Sequence, residues 1–134
     1  MASPKVFAMR IARRARQVET GASRMVRATA LIINQVIISE TPVDTGHAKA
    51  NWQIGISEPI TSEIDEEDPS GSATIERNAS TIRQAPPHKD IILSNNVPYI
   101  HKLNEGSSSQ APAQFVQLAV ATAIVAAKKT RFFR

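Results

Sequence analysis

The stretch Asn95 to Gly106, NNVPYIHKLNEG, carries the densest set of structural signals in the chain. The five residues before it, DIILS (90–94), are rich in branched apolar side chains and predict a strand that ends at an Asn-Asn turn. Pro98 suits the start of a helix because it has no N–H to lose there, and Gly106 suits its end because glycine readily adopts positive φ. Three side chains of that short helix are predicted to face inward: Tyr99, Ile100 and Leu103.

A second group of signals, PVDTG, begins at Pro42. This proline predicts the end of a preceding helix, since it cannot continue the hydrogen-bond ladder and the residue before it avoids the α region. Asp44 or Thr45 can cap the turn that follows, and Gly46 permits a sharp change of direction. Trp52 is the only tryptophan, and the area that an indole buries predicts that it packs between this helix and a sheet.

The two groups together form the motifs TPVDTG (41–46) followed by Trp52, and NNVPY, LNEG and QAP (95–112). They resemble the signatures of a family of bacteriophage minor tail proteins, the tail-completion or neck proteins of long-tailed phages. The resemblance covers roughly 41–125, and the chain departs from it at Gln114, where such proteins often carry Gly. We expect the following motif residues to organise turns and core contacts and, by the resemblance, part of a subunit interface: Asp44, Thr45, Gly46, Trp52, Asn96, Pro98, Tyr99, Glu105, Gly106 and Pro112.

The chain has 134 residues, of which 42% are hydrophobic, and this predicts a single domain, 1–134, with a modest core. Apolar side chains recur every three or four residues from Phe7 to Val36 and predict one long helix over 1–40. The other predicted elements are a turn and strand (41–57), an acidic loop or hairpin (58–71), a helix (72–85), a strand and short helix (88–106), a C-terminal helix (111–129) and a tail (130–134).

These elements predict an α+β fold, in which the long N-terminal helix and the C-terminal helix pack on a small, mainly antiparallel sheet. By the resemblance, the fold is expected to be similar to that of a tail terminator. Gly55, in the predicted strand, indicates a bulge or a close approach of another backbone segment. The C-terminal helix is expected to turn one face inward, formed by Phe115, Leu118, Ala119, Thr122, Val125 and Ala126.

The net charge of +4 hides a segregation of sign. Residues 5–27 hold seven bases and one acid, whereas residues 58–68 hold six acids and no base. This pattern indicates head-to-tail electrostatic contacts between copies as readily as a surface that binds nucleic-acid phosphates. No aromatic or Asn/Gln cluster interleaves the arginines to contact bases. The candidate subunit or partner contacts are Arg10, Arg13, Arg14, Glu63, Asp65, Glu66, Glu67, Asp68, Phe132 and Phe133.

The residue types argue against an enzyme. The chain has no cysteine, no Gly-rich phosphate loop, no Gly-x-Ser-x-Gly motif and no His-Glu-x-x-His pair. A contiguous acidic run is normally solvated, and Asp44 with His47 lacks a third metal ligand. His88 and His101 lie in other predicted elements, so each histidine is interpreted as a surface or turn residue. We therefore expect no catalytic residue, cofactor or metal, and with no apolar run near the roughly 20 residues that span a bilayer, no membrane partner.

The resemblance implies a structural virion protein, made in the host cytoplasm, that forms a ring of six copies at the top of the tail. Such a ring completes the tail and joins it to the head around a channel through which genomic DNA passes without sequence-specific binding. Its partners would be other neck and tail proteins, namely a connector or stopper, the tail terminator and the tail tube. Two alternatives in the same class are the tail terminator itself and a portal-proximal connector. An alternative of another class is a small basic DNA-binding protein.

Overall fold

The computed structural model describes residues 7–10, 20–106 and 113–128. Its helices and strands form an α+β fold, which confirms the predicted class. In chain order the elements are β1 (Phe7–Arg10), α1 (Thr20–Glu40), α2 (His47–Ala50), β2 (Gln53–Ile56), α3 (Ser72–Arg83), β3 (Ile91–Asn95), α4 (Ile100–Asn104) and α5 (Phe115–Lys128).

The central strand of the sheet is β3, with β1 and β2 antiparallel to it on either side. Leu93 lies opposite Met9 in β1 and opposite Ile54 in β2. All five residues of β3 are buried, which is the usual condition of a strand covered on both faces and explains its unbroken apolar start. The small antiparallel sheet predicted from the sequence is thus present.

One face of this sheet closes the apolar core. Ile91 and Leu93 of β3 join a buried cluster with Ile54 of β2, and residues of α1, α3 and α5 complete that cluster. Trp52 is fully buried in it, and its indole Nε1 donates to Thr41 Oγ1 at 2.8 Å. The predicted place of the tryptophan, between the long helix and the sheet, is confirmed.

The prediction of one helix over 1–40 is wrong at its start, because Phe7–Arg10 forms strand β1. The helix is present from Thr20 to Glu40, and residues 1–6 and 11–19 lie outside the described ranges. A four-residue window does not separate a period of two from a period of 3.6. The strand forms because of a long-range contact. The backbone N–H and C=O groups along this side of β3 are buried and must be hydrogen-bonded, and β1 provides their partners.

The C-terminal helix also differs from its prediction. It begins at Phe115 and turns Phe115, Val116, Ala119 and Ala123 into the core. Leu118 and Val125, predicted to face inward, are instead 52% and 54% exposed. The helix is apolar nearly all round, so its sequence did not specify which face packs on α1.

Two smaller corrections concern the second motif. The short helix α4 begins at Ile100, two residues after Pro98. Ile100 is fully buried and Leu103 packs against the core, but Tyr99 is 41% exposed. The tyrosine precedes the first helical residue, so it does not share the inward direction of Ile100.

Candidate functional site

The two sequence motifs meet along an open groove with a volume of about 370 Å³. A direct link lies beneath it: Asn95 at the end of β3 donates from Nδ2 to the Ala48 carbonyl of α2 at 2.9 Å. The groove is lined by Pro42, Val43, Asp44, Thr45, Gly46, His47 and Ala48 from the first motif region, and by Tyr99, Lys102 and Leu103 from the second.

The turn of the first motif depends on Gly46, which has φ of 89° and precedes α2. A Cβ at this position would lie 2.4 Å from the Pro69 backbone nitrogen. The Gly46 carbonyl accepts hydrogen bonds from Ala50 N and Asp68 N, each at 3.0 Å. Thr45 Oγ1 accepts from His47 N at 3.3 Å. The predicted redirection is confirmed, and the side-chain hydrogen bond is made by Thr45.

The acidic segment 58–71, called the strap below, crosses the face of the sheet opposite the core. Its carbonyls accept hydrogen bonds from side chains of the sheet: Ser94 Oγ reaches Ile60 O at 2.9 Å, and Gln53 Nε2 reaches Ser62 O at 2.8 Å. Gly55 lies beneath it, where a Cβ would come 2.0 Å from Glu58 O. The predicted close backbone approach is confirmed. Of the two alternatives predicted for 58–71, an acidic loop or a hairpin, the structure has the loop, without strand pairing.

Two asparagines hold the middle of the strap. Asn51 pairs with Ile64 in both directions, donating from Nδ2 to Ile64 O at 3.0 Å and accepting from Ile64 N at 2.8 Å. Asn96, a residue of the second motif, donates from Nδ2 to Ile60 O at 2.8 Å. An amide side chain can in this way replace a neighbouring strand as the partner of a backbone.

The end of the strap is held by Asp68. Its Oδ2 accepts from Thr74 N at 2.8 Å and from Thr74 Oγ1 at 2.7 Å, which satisfies part of the first turn of α3. Burial raises the pKa of Asp68, but the hydrogen bonds from Thr74, Gly71 and Ala73 outweigh burial, so the pKa of this carboxyl is lowered overall.

His47 and Arg77 contact the acidic part of the strap. His47 Nε2 lies 2.6 Å from Glu63 Oε2, and Nδ1 lies 3.0 Å from Glu66 O. The hydrogen bond with Glu63 raises the pKa of His47 against the opposing effect of burial. Arg77 of α3 donates to Trp52 O at 2.6 Å and lies 3.6 Å from the Glu66 carboxylate. His47, interpreted from the sequence as a surface or turn residue, is thus a structural contact.

Lys49 is a further residue whose role the sequence did not indicate. It is buried, and its Nζ donates to the carbonyls of Ile38 at 2.8 Å and Ser39 at 3.2 Å. These carbonyls belong to the last turn of α1, where a cation is favourable. Burial lowers the pKa of Lys49, with Asp68 and Glu40 acting in the opposite direction.

A pair of buried asparagines joins α1 to α3. Asn78 donates from Nδ2 to Asn34 Oδ1 at 2.9 Å and to Trp52 O at 2.8 Å. Asn34 in turn donates to Ile75 O at 3.1 Å. The one available sequence signal was Asn34 itself, a polar residue inside an apolar helical run.

The second motif sets the start of α5. Asn104 is buried, accepts from Val116 N at 3.0 Å and donates to Gln117 Oε1 at 3.0 Å. Its carbonyl accepts from Gln114 N. Gln114 has φ of 61°, a left-handed conformation in which glycine is least strained, and it is the position where the resemblance expects Gly. Gly106 ends α4 with φ of 100°, as predicted.

The structure thus brings Asp44, Thr45, Gly46 and Tyr99 to one groove, and it uses Trp52 and Asn96 elsewhere as buried contacts. Glu105 directly follows the last residue of α4 as its C-cap and is exposed. On the strap Asp65, Glu66 and Glu67 are exposed, while Asp68 is partly buried. The backbone of Arg10 lies in β1. The other predicted contacts lie outside the described residues: Arg13, Arg14, Pro112, Phe132 and Phe133.

Compared with known protein families, curated proteins and solved structures, this chain has no match. Within residues 20–106 and 113–128, no three His, Cys, Asp or Glu side chains are grouped so that they could hold a metal ion. Among the described helices, none combines the length and the apolar character needed to cross a membrane.

Proposed function

We propose that this protein is a structural subunit of a phage neck, which assembles as a ring of six copies, completes the tail and joins it to the head around a DNA channel. The proposal starts from the two motifs that resemble those of tail-completion proteins. It is supported by how the motif side chains are used: Asn95, Asn96 and Asn104 all donate to or accept from the chain's own backbone. Residues used in this way stabilise the fold of a single subunit.

The observation that carries the assembly role is the outer face of α5. From Phe115 to Ala127 the helix contains no charged residue, and a helix that is apolar all round is normally covered on all sides. Here only one stripe is buried, and three large side chains stand out of the described surface: Leu118, Ile124 and Val125. A partner that covers them would bury apolar area without desolvating a charge.

A second copy of the chain suits this face. An uncharged helix meets its counterpart, or another apolar patch of a copy, without like-charge repulsion. The segregation of bases in residues 5–27 from acids in the strap adds a head-to-tail attraction between copies. Contacts between different patches of neighbouring copies close into rings when the rotation permits.

The test is the mass of the purified protein, measured beside images of the neck of the virion. We expect wild-type protein to form rings, alone or within particles, and Leu118→Asp with Val125→Asp to abolish them. Ser80→Asp is the control, because it places one aspartate at an exposed position on α3, away from α5. Rings that persist in the double variant would contradict the α5 interface.

Removal of the gene separates the alternatives. A neck role predicts particles whose heads and tails are not joined, whereas a tail terminator predicts tails of irregular length. A portal-proximal connector would place the ring directly below the portal in a virion map. A small basic DNA-binding protein would instead bind duplex DNA with an affinity that falls steeply with salt, and charge reversal at Arg10, Arg13 and Arg14 would abolish that binding.

A further inference from the structure

Both ring nitrogens of His47 face oxygen atoms of the strap. Nε2 lies 2.6 Å from the Glu63 carboxylate, and Nδ1 lies 3.0 Å from the Glu66 carbonyl. A neutral imidazole has one N–H and one lone pair, so it can donate to only one of these acceptors. An imidazolium donates to both. The geometry therefore matches the protonated ring.

We propose that His47 is a proton-operated latch that holds residues 65–67 of the strap against α2 and releases them when it loses its proton. The proposal rests on the contacts within one chain and is independent of the function proposed above. Its consequence is that pH controls where Asp65, Glu66 and Glu67 are displayed. These three carboxylates are exposed and belong to the predicted contact surface.

The released segment is short because its flanks are held separately. On one side Ile64 makes two hydrogen bonds with Asn51. On the other side Asp68 is bound to Thr74 and to Gly46 O. Between them, the contacts of the segment are the hydrogen bond from His47 to Glu66 O and the pair of Glu66 with Arg77, at 3.6 Å and partly exposed. The neutral ring keeps one N–H, and the ionised Glu63 carboxylate is the stronger acceptor, so the hydrogen bond to Glu66 O is the one that is lost. Residues 65–67 then loosen without unfolding of the strap.

The charged groups around His47 are mainly acidic, with Arg77 and Lys102 as the cations among them. The strap contributes Glu63, Asp65 and Glu66, the 41–46 turn contributes Asp44, α3 contributes Arg77, and the α4 side of the groove contributes Tyr99 and Lys102. The hydrogen bond with Glu63 and the nearby acids raise the pKa of His47 above its ordinary value of 6.5. The latch thus contributes stability that is complete below about pH 6.5 and is lost as the pH rises through the higher folded-state pKa.

NMR of the full chain tests the latch, with the backbone amide resonances of residues 65–67 and the His47 side-chain resonances followed over the same pH range. We expect the amide resonances of residues 65–67 to shift in one step with the midpoint of the His47 titration, and their heteronuclear NOE to fall as His47 deprotonates, because the hydrogen bond to Glu66 O is lost. His47→Gln should remove this step and leave the segment open at all pH values. Glu63→Gln should shift the step to lower pH, because it removes the carboxylate.

His101→Gln is the matched control. It changes an exposed histidine on α4, and the pH-dependent step of residues 65–67 should be unchanged. The amide resonances of Ile64 and of the core strand β3 should not follow the step in any of these variants. The latch is refuted if His47 titrates at or below 6.5 in the wild type, or if the step survives in His47→Gln while the protein remains folded by circular dichroism.

Discussion

The two faces of the central strand β3 are covered in different ways. On the inner face Ile91 and Leu93 pack in a buried cluster of apolar side chains that includes Trp52. On the outer face Ser94 and the neighbouring Asn96 hold the strap by hydrogen bonds to its backbone. Apolar burial is non-directional and insensitive to pH, whereas the strap depends on the geometry and protonation of single groups.

The two faces therefore have different roles: the inner face stabilises the fold, and the outer face positions the strap. The inner face supplies the larger part of the folding free energy, because buried apolar area is the dominant favourable contribution. The outer face fixes where the carboxylates of the strap lie, and the latch proposed for His47 lets those of Asp65, Glu66 and Glu67 change position. Perturbations of the two faces should therefore differ in size and in kind.

Trp52→Ala should cause the largest loss. It removes a fully buried indole and leaves a cavity, and such substitutions cost about 3–5 kcal/mol in the free energy of unfolding. Denaturant unfolding followed by circular dichroism measures the change. Trp52→Phe, which keeps most of the apolar volume but loses the bond to Thr41, should cost clearly less. A loss below about 1 kcal/mol for the alanine variant would contradict the central role of the inner face.

Gly46→Ala should have the next largest effect, because Gly46 contacts the backbone at the C-terminal end of the strap. The left-handed backbone costs a non-glycine residue about 1–3 kcal/mol, and the added Cβ also collides with the backbone at Asp68 and Pro69. We expect the C-terminal end of the strap to be displaced, seen as amide shift changes around Asp68. Gly106→Ala is the comparison, since its new Cβ would meet the Ala113 side chain at 3.1 Å and should leave the strap in place.

Asn51→Ala should loosen the outer face with a moderate cost. It removes both hydrogen bonds with Ile64, and the buried groups left behind predict a loss of about 1–3 kcal/mol. Amide exchange should rise at Ile64 but not in β3. Gln53→Ala removes one exposed bond to Ser62 and should have a smaller effect. Equal effects of the two variants would show that the strap is not held mainly at Asn51.

Asp68→Asn should have the smallest effect at neutral pH, less than about 1 kcal/mol, since the asparagine side-chain oxygen can accept the same hydrogen bonds from Thr74. The effect of Asp68→Asn on stability appears at acidic pH. Because the folded-state pKa of Asp68 is lowered, its contribution is present above the unfolded value of 3.8 and is lost as the pH falls through the folded-state pKa. Unfolding measured from pH 7 to pH 2 should show a shallower acid loss in the variant. An unchanged acid slope would exclude this role.

Local signals in the sequence were sufficient where a single residue decides the backbone. Gly46 and Gly106 take positive φ, as their places in the motifs predicted. The strand at Gln53–Ile56 and the helix at Ser72–Arg83 follow from periodicity, and the burial of Trp52 follows from its area. Each of these features depends on neighbours within a few residues, or on the size of one side chain.

Tertiary structure decided the remaining features. Phe7–Arg10 forms a strand because its backbone pairs with β3. Asn104 fixes where α5 begins, and that start determines which face of α5 packs on α1. The contacts of His47 and Asn51 with the strap join residues 13 to 19 positions apart. No periodicity encodes such pairs, because a polar side chain satisfies its hydrogen bonds with whichever backbone the fold brings near. The sequence by itself therefore determined the elements and their breaks, while the fold alone determined which polar groups meet.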